Sequence, residues 1–576
     1  MKKYKILSYL IVCFLLTGCS EDFLNRLPED EISPEQYWKT DNDLKLFLNQ
    51  FYTTFPVHNG WNGGVFEFDN NSDNLVPVNV NNRLVGNNNV APSSDGSWNF
   101  GNIRSVNYYL ENSHTAKGPE DIINHYNGEA YFFRAYFYFR LLKRYGGVPY
   151  IDKTLNTDSP ELLTPRMPRN ELATKIVEDL DRALNLLMPR SSAENFRVHR
   201  GVALAFKSEV CLYEGTWEKY HEGSPFGAET NESIKFLTLA ADAAETMINE
   251  GNYQLYNDGS DDTYRLLFNK YDYNDVSEVI FWKKYSIEDG VIHRVSHYLP
   301  HTGAGTGLSK SLVESYLSSD GLPISVSPLY SEANENSLET VVSNRDPRLQ
   351  QTICTPGDLI TERAALDNIY FDFPAFRENG ETVSTTGYQI YKGGATDEDE
   401  RVESTTGSII YRYAEVLLNF AEAKAELGTI TQADLDKSVN VLRDRVGMPA
   451  LTTLPVSDPN KLFPGVSDII NEIRRERRVE LALEGKRFDD LMRWRAHDLI
   501  IGKRLVGFKI QGSDLEEEFA DLIGNSILVN DQGYIDPYMN VIPSGYGFNK
   551  DRDYLSPIPT EQIVLSEGTL EQNPGW

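Results

Sequence analysis

The feature that most restricts how this chain can fold is the stretch Glu129-Ala-Tyr-Phe-Phe-Arg-Ala-Tyr-Phe-Tyr-Phe-Arg-Leu-Leu-Lys-Arg-Tyr145, closed by Gly146-Gly147 and Val148-Pro149. On a helix, Ala130, Phe133, Phe137 and Leu141 fall on one side, and Tyr131, Phe132, Ala135, Tyr138, Phe139 and Leu142 on another. Two apolar faces need two partners, so this helix belongs between neighbours in a layered array. Gly146 offers a left-handed stop and Pro149 forbids continuation. The rings read as core, because one helix carries more large aromatics than a ligand could use.

The same pattern recurs along the chain. Segments from about Ile103, from Asn170 to Leu187, from Gly201 to Tyr213 and from Ile234 to Gly251 read as helices. Tyr411 to Leu427 again carries two apolar stripes, and Thr431 with Asp434 makes a box-like start for a helix reaching Val446. Between Tyr253 and about Ser408 the chain is irregular, with strand-like runs such as Glu278-Val-Ile-Phe-Trp-Lys283. The stretch Asn59 to Asn102 is crowded with Asn, Gly and Asp around Trp61 and Trp98, which reads as long ordered loops. Arg474, Arg475, Arg477, Arg478, Arg487, Arg493 and Arg495 crowd one late helix and its exit. Glu472, Glu476, Glu480 and Glu484 recur among them, so ion pairing within and between helices is expected in place of a basic groove. At 576 residues the chain needs either several domains or such a layered array.

Its net charge of −30 argues against nucleic acid or anionic lipid as the main partner and leaves a neutral or cationic ligand open. Residues 1–18 read as a signal peptide: Lys2, Lys3 and Lys5 precede a short apolar run, Ile6 to Leu16, too short to span a membrane. The run ends in Leu16-Thr17-Gly18-Cys19, which resembles a bacterial lipobox, with Cys19 the acylated first residue of the mature chain. Ser20-Glu21-Asp22 behind it resembles the acidic surface-export signal of Bacteroidetes lipoproteins. Of the cysteines, Cys211 and Cys354 remain for the folded part, as one disulfide or as two buried thiols.

Taken in order, these segments resemble the SusD/RagB family of outer-membrane nutrient-binding lipoproteins over nearly the whole chain. The resemblance rests on the lipobox, on Glu129-Ala130-Tyr131 through Arg134-Ala135 to Gly146-Gly147-Val148-Pro149, and on Arg412-Tyr413-Ala414-Glu415-Val416-Leu417-Leu418 with Ala421-Glu422-Ala423. It continues in Ile473-Arg-Arg-Glu-Arg477, in Glu484-Gly485-Lys-Arg487-Phe488-Asp489-Asp490-Leu491, and in the tail from Leu555-Ser-Pro557-Ile-Pro559 to Asn573-Pro574-Gly575-Trp576. It implies a mainly α fold, a scaffold of tetratricopeptide-like helix pairs carrying an irregular, loop-rich lobe. The SusD-like domain would span 19–576, with an N-terminal part of about 19–330 and a C-terminal part of about 331–576. It further implies a lipid-anchored protein of the outer membrane, facing the cell surface over a SusC-like TonB-dependent transporter, with no cofactor and no catalysis. Members mostly bind glycans and some bind peptides, so both ligand classes stand. A surface glycoside hydrolase and a ligandless adaptor are the rivals.

Sugars are held by flat rings stacked on their C–H faces and by side chains that meet neighbouring hydroxyls. Two stretches offer both. One holds Trp61, Asp73, Arg83 and Trp98; the other runs from Trp282 to His301 and holds His297 and Tyr298. The expected site is a platform where these stretches meet. His293, His297 and His301 are spaced by four, but Pro300 should break that helix, and no glutamate follows His293 as a metalloprotease needs, so no metal is assigned. Asp69 to Asp73 begins like a calcium loop but continues with Asn74 and Val80 where Gly and Glu belong.

If Cys19 carries the lipid, Cys19→Ala should move the protein from the membrane to the soluble fraction, since Ile6 to Leu16 cannot hold it alone. Wild-type retention in membrane pellets would remove the lipoprotein assignment.

Overall fold

The computed structural model describes residues 37–93, 96–377 and 380–576. The signal at 1–18, Cys19, Ser20-Glu21-Asp22 and the expected helix start at Ser33-Pro34-Glu35 lie outside the described residues.

The main elements are α1 (Asp41–Leu48), α2 (Gly101–Asn112), α3 (Glu120–Tyr145), α4 (Arg169–Leu186), α5 (Arg200–His221), α6 (Ser233–Glu250), β1 (Val279–Lys283), α7 (Val295–Thr302), β2 (Ser408–Arg412), α8 (Tyr413–Glu426) and α9 (Asp468–Glu480). Successive helices pack side by side: α2 on α3, α3 on α4, α4 on α5, α5 on α6, then α6 on α8 and α8 on α9. This is the expected array of helix pairs. The aromatic helix α3 starts nine residues earlier than its rings suggest and is buried on nearly every side. Phe133 and Phe137 meet Phe51, while Phe132, Tyr136 and Phe139 meet Phe206 of α5. Gly146 ends the helix at φ 75°, a conformation costly for any residue with a Cβ.

A first hydrophobic cluster joins the helical array from Trp38 to Leu570, and a second fills the irregular lobe around Leu299, Leu312, Tyr316, Ile390 and Phe508. A short antiparallel pair stitches them together, with Val279 opposite Arg412 and Lys283 opposite Ser408. Because strand side chains alternate in direction, Phe281 enters the helical cluster and Trp282 the lobe cluster. Cys211 and Cys354 fall in different clusters and are free buried thiols. Helix α7 runs through Pro300 instead of breaking there; in a helix of two turns the missing N–H removes a single bond.

Apart from Arg495, the arginines of α9 and its exit are held in ion pairs, most of them to other segments. Arg475 reaches Glu472 within the helix, but Arg474 reaches Glu426 of α8 and Arg493 reaches Glu422. Glu480 is the hub: Arg348, Arg412 and Arg445 approach its carboxylate at 2.9, 2.7 and 2.7 Å. Glu476 holds Arg348 and Arg443 at 2.6 and 2.8 Å. Burial opposes ionisation of Glu480, yet Arg445, Arg412 and Arg348 outweigh it and hold the carboxyl well below the usual range.

Phe137→Ala is expected to cost about 3–5 kcal/mol by opening a cavity against Phe51 and Phe133, read as a fall in denaturant midpoint. Glu480→Gln leaves three guanidiniums short of charge and should cost about 3–5 kcal/mol; an unchanged midpoint would mean that the cluster tolerates uncompensated charge. Acid should act through the same groups. Carboxyls with depressed folded-state pKa stabilise the fold above their unfolded pKa, so the melting temperature should hold down to about pH 5 and drop between about pH 4 and 2.

Candidate functional site, an aromatic groove at the junction of array and lobe

The chain leaving Phe55 crosses the end of the array and turns back on itself at His58. This imidazole is fully enclosed: its Nδ1 accepts the Val65 N–H at 3.3 Å, its backbone carbonyl accepts the Tyr285 hydroxyl at 2.5 Å, and its ring lies 4.7 Å from that of His293. His293 is bonded to the Thr406 carbonyl through Nε2 and to the Val295 N–H through Nδ1. Burial lowers the pKa of both, His293 to about 4, so both rings are neutral at physiological pH and act as fixed hydrogen-bonding wedges.

Pinned by these wedges, the turn after His58 projects Trp61 outward, and Arg294, the residue after His293, lays its guanidinium 3.6 Å from the ring centre. Trp61 remains 66% exposed, so one face is backed by the guanidinium and the other is open to solvent. This pair brings the two predicted stretches together.

The turn that carries Trp61 borders two cavities of about 380 and about 770 Å³, with His58 lining the smaller and Asn59 the larger; they share Pro56, Phe68 and Ile410 and so form one groove over Phe68. Gly485 lets Phe68 come this close: a Cβ there would stand 2.8 Å from the Phe68 Cβ. The smaller cavity has an aromatic floor of Tyr136, Phe206 and Tyr411 and a ring of paired charges. Lys143 holds Asp489 at 2.5 Å, and Lys486 holds Glu415 at 2.7 Å and Glu209 at 3.3 Å. Arg140 is exposed at its rim.

The larger cavity is lined by Asn59, Phe196, Trp282, Lys283 and Lys284 among others. Phe196 has φ 64°, a left-handed conformation that a bulky residue adopts only when held there. The hold comes from the next residue, since the Arg197 guanidinium grips buried Glu129 at 2.6 and 2.8 Å, and from the Val198 N–H on the Tyr52 hydroxyl. The result is a half-exposed phenyl ring standing edge-on to Trp282 at 5.2 Å.

Several residues read from sequence as ligand-binding have other work. Asp73 is buried and ion-paired to Arg478 and Arg487 at 3.1 and 2.6 Å; burial would raise its pKa, but these arginines hold it at about 2. Arg83 is half-buried and donates to the carbonyls of Asp553 and Tyr554, tying its loop to the C-terminal segment. Trp98 is 7% exposed and set edge-on against Tyr145, at a separate apolar pocket with Phe100, Leu155 and Leu565. Trp282 is 4% exposed, wedged between Phe196 and Tyr273, so only its edge reaches the groove. His297 is buried and bonded to Glu381 at 2.7 Å, with half-exposed Tyr298 beside it. Trp61 therefore keeps an open ring, whereas Trp98 and Trp282 are core. Sequence reasoning missed Phe68, Phe196, Lys283 and Arg294. The Arg197–Glu129 pair that strains Phe196 leaves no local signature.

Comparison with known proteins agrees with this architecture. Residues 256–576 match the SusD family model, and residues 22–212 match a model described as starch-binding associating with outer membrane. The chain is 24% identical to SusD-like protein P2 of Formosa agariphila, with 100% of each chain covered. It superposes on a SusD-like protein of Bacteroides fragilis with TM-score 0.70 and 26% identity, covering 96% of this chain and 100% of that one. A SusD-like carbohydrate-binding protein of the same organism shares the fold at TM-score 0.68 and 21% identity over 92% of this chain and 99% of that one. With the SusD model spanning more than half of its length, the chain belongs to the SusD family.

Proposed function

We propose that this protein is a cell-surface lipoprotein, anchored through Cys19 in the outer membrane, that captures oligo- or polysaccharide and delivers it to a SusC-like TonB-dependent transporter. The observation that carries the reading is the Trp61 indole, backed on one face by Arg294 and open on the other, on the turn whose Asn59 lines a groove with Phe68 and Phe196. Rings presented singly and rigidly suit the C–H faces of pyranoses, and polar groups such as Asn59 and Lys284 line the same groove for hydroxyls. Family membership and the carbohydrate-binding description of a structural neighbour support the same ligand class.

Binding, and not hydrolysis, fits the carboxylates. A glycosidase needs two carboxyl groups poised across the scissile bond. Here Glu209 and Glu415 share Lys486, Asp489 is held by Lys143, and Glu484 by Arg412 and Lys392. Transfer inward needs a partner, since no helix among the described residues is long and apolar enough to cross a membrane. The transporter supplies that passage, and co-purification from detergent should recover it.

A glycan array or affinity gel tests the ligand class directly. Trp61→Ala and Phe196→Ala should each weaken glycan retention about tenfold or more, from the loss of one stacking ring, with circular dichroism near wild type. Retention of peptides in place of glycans would assign the groove to peptide capture. New reducing ends would make it a hydrolase, and retention of neither would leave an adaptor.

A further inference from the structure

Charge is distributed unevenly around the groove. The carboxylates lining it are engaged by cations: Glu194 by Lys45, Asp489 by Lys143, Glu209 and Glu415 by Lys486, Glu484 by Arg412. Three cations, two lining these cavities and Arg294 stacked on the Trp61 of the bordering turn, have no carboxylate partner among the described residues. Arg140 lies over the Tyr136 ring at the rim of the smaller cavity. Lys283 lines the larger cavity with its ammonium over the Tyr285 ring, and Arg294 stacks on Trp61. Among the described residues Lys284 pairs with Asp272, at 3.6 Å, with both side chains about half exposed, a contact weak enough to yield to a ligand.

His58 is the common neighbour of this set. It lines the smaller cavity with Arg140, its ring lies tilted 4.7 Å from that of His293, which precedes Arg294, and the Tyr285 ring under the Lys283 ammonium meets both imidazoles. On a chain of net charge −30, a patch of cations without counter-ions beside the stacking rings stands out. Aromatic stacking is indifferent to the charge of a sugar, so what surrounds the rings sets the charge class. Burial lowers the pKa of Lys283, and no carboxylate offsets that cost. An oxygen anion on the ligand would supply the missing partner, and the Arg294 fork matches a carboxylate or sulfate by two parallel hydrogen bonds.

We propose that the groove selects an anionic glycan, one bearing uronate carboxylates or sulfate esters, with Lys283 and Arg294 reading the acid groups while Trp61 and Phe196 stack the rings. This rests on the reading of the groove as a glycan site. It also narrows what composition alone left open: the overall negative charge pointed to neutral or cationic ligands, whereas the cations at the groove without carboxylate partners favour an anionic one.

The test is calorimetric titration of the chain from residue 20 onward with size-matched neutral, uronate and sulfated oligosaccharides. At least one anionic series should bind about tenfold or more tighter than the neutral one, and raising salt from about 50 to about 500 mM should weaken it by a comparable factor. The uronate and sulfate arms identify which acid group is read. Lys283→Ala and Arg294→Ala should each lower the affinity for that series about fivefold or more beyond any loss for neutral glycans, with unchanged melting temperature, while Lys175→Ala on α4, which lines neither cavity, changes nothing. Neutral glycans bound as tightly as anionic ones, without salt dependence, would overturn the charge assignment and keep glycan capture. No glycan bound at all would overturn both.

Discussion

The structure depends on one buried carboxylate and the arginines that converge on it. Glu480 ends α9 where helical array and irregular lobe meet, and the three guanidiniums around it arrive from separate parts of the chain: Arg348 from the lobe, Arg412 from the end of β2, Arg445 from the connection between α8 and α9. A buried charge is costly unless its partners stand at hydrogen-bonding distance, so this site accepts only one relative placement of the four segments. Replacing such a cluster with apolar side chains can cost little. Its contribution is registry more than net stability.

That registry reaches the groove through short covalent distances. The turn after Glu480 carries Glu484, which receives Arg412 and Lys392, then Gly485 under Phe68, then Lys486 and Asp489 in the smaller cavity. Arg412 opens α8, whose Glu415 faces Lys486. Asp73, five residues beyond Phe68, is clamped by Arg478 and Arg487. The aromatic side of the groove is fixed in the same manner, with Arg197 on Glu129 forcing Phe196 outward and the neutral pair His58 and His293 setting Trp61 and Arg294. Ion pairs within the fold thus absorb most of the cations in this region, and the few left over mark the ligand side.

How much of this is legible in sequence follows from the range of each interaction. The array is readable because helical periodicity is local: α3 and α8 each declare two apolar faces within a few turns, and the segments of α4, α5 and α6 read as helices on their own. The pairing role of the α9 arginines is readable too, because glutamates recur among them, although their true partners lie mainly in distant segments. The site is much less so. Trp61 and Trp98 sit in the same Asn- and Gly-rich stretch, and nothing local distinguishes the ring that faces water from the ring that meets Tyr145. Asp73 looks like an exposed loop acid until Arg478 and Arg487 are brought to it, and Phe196 looks ordinary until Arg197 finds Glu129.

The central claim is that the groove beside Trp61 holds sugar rings on aromatic faces and acid groups on the unpaired cations. A crystal structure of the protein soaked with an anionic oligosaccharide addresses it most directly. The account predicts a pyranose on the open face of Trp61 or against Phe196, with a carboxylate or sulfate oxygen within hydrogen-bonding distance of Lys283 or Arg294. Sugar density in the apolar pocket beside Trp98, or rings in the groove with their acid groups turned to solvent, would contradict it.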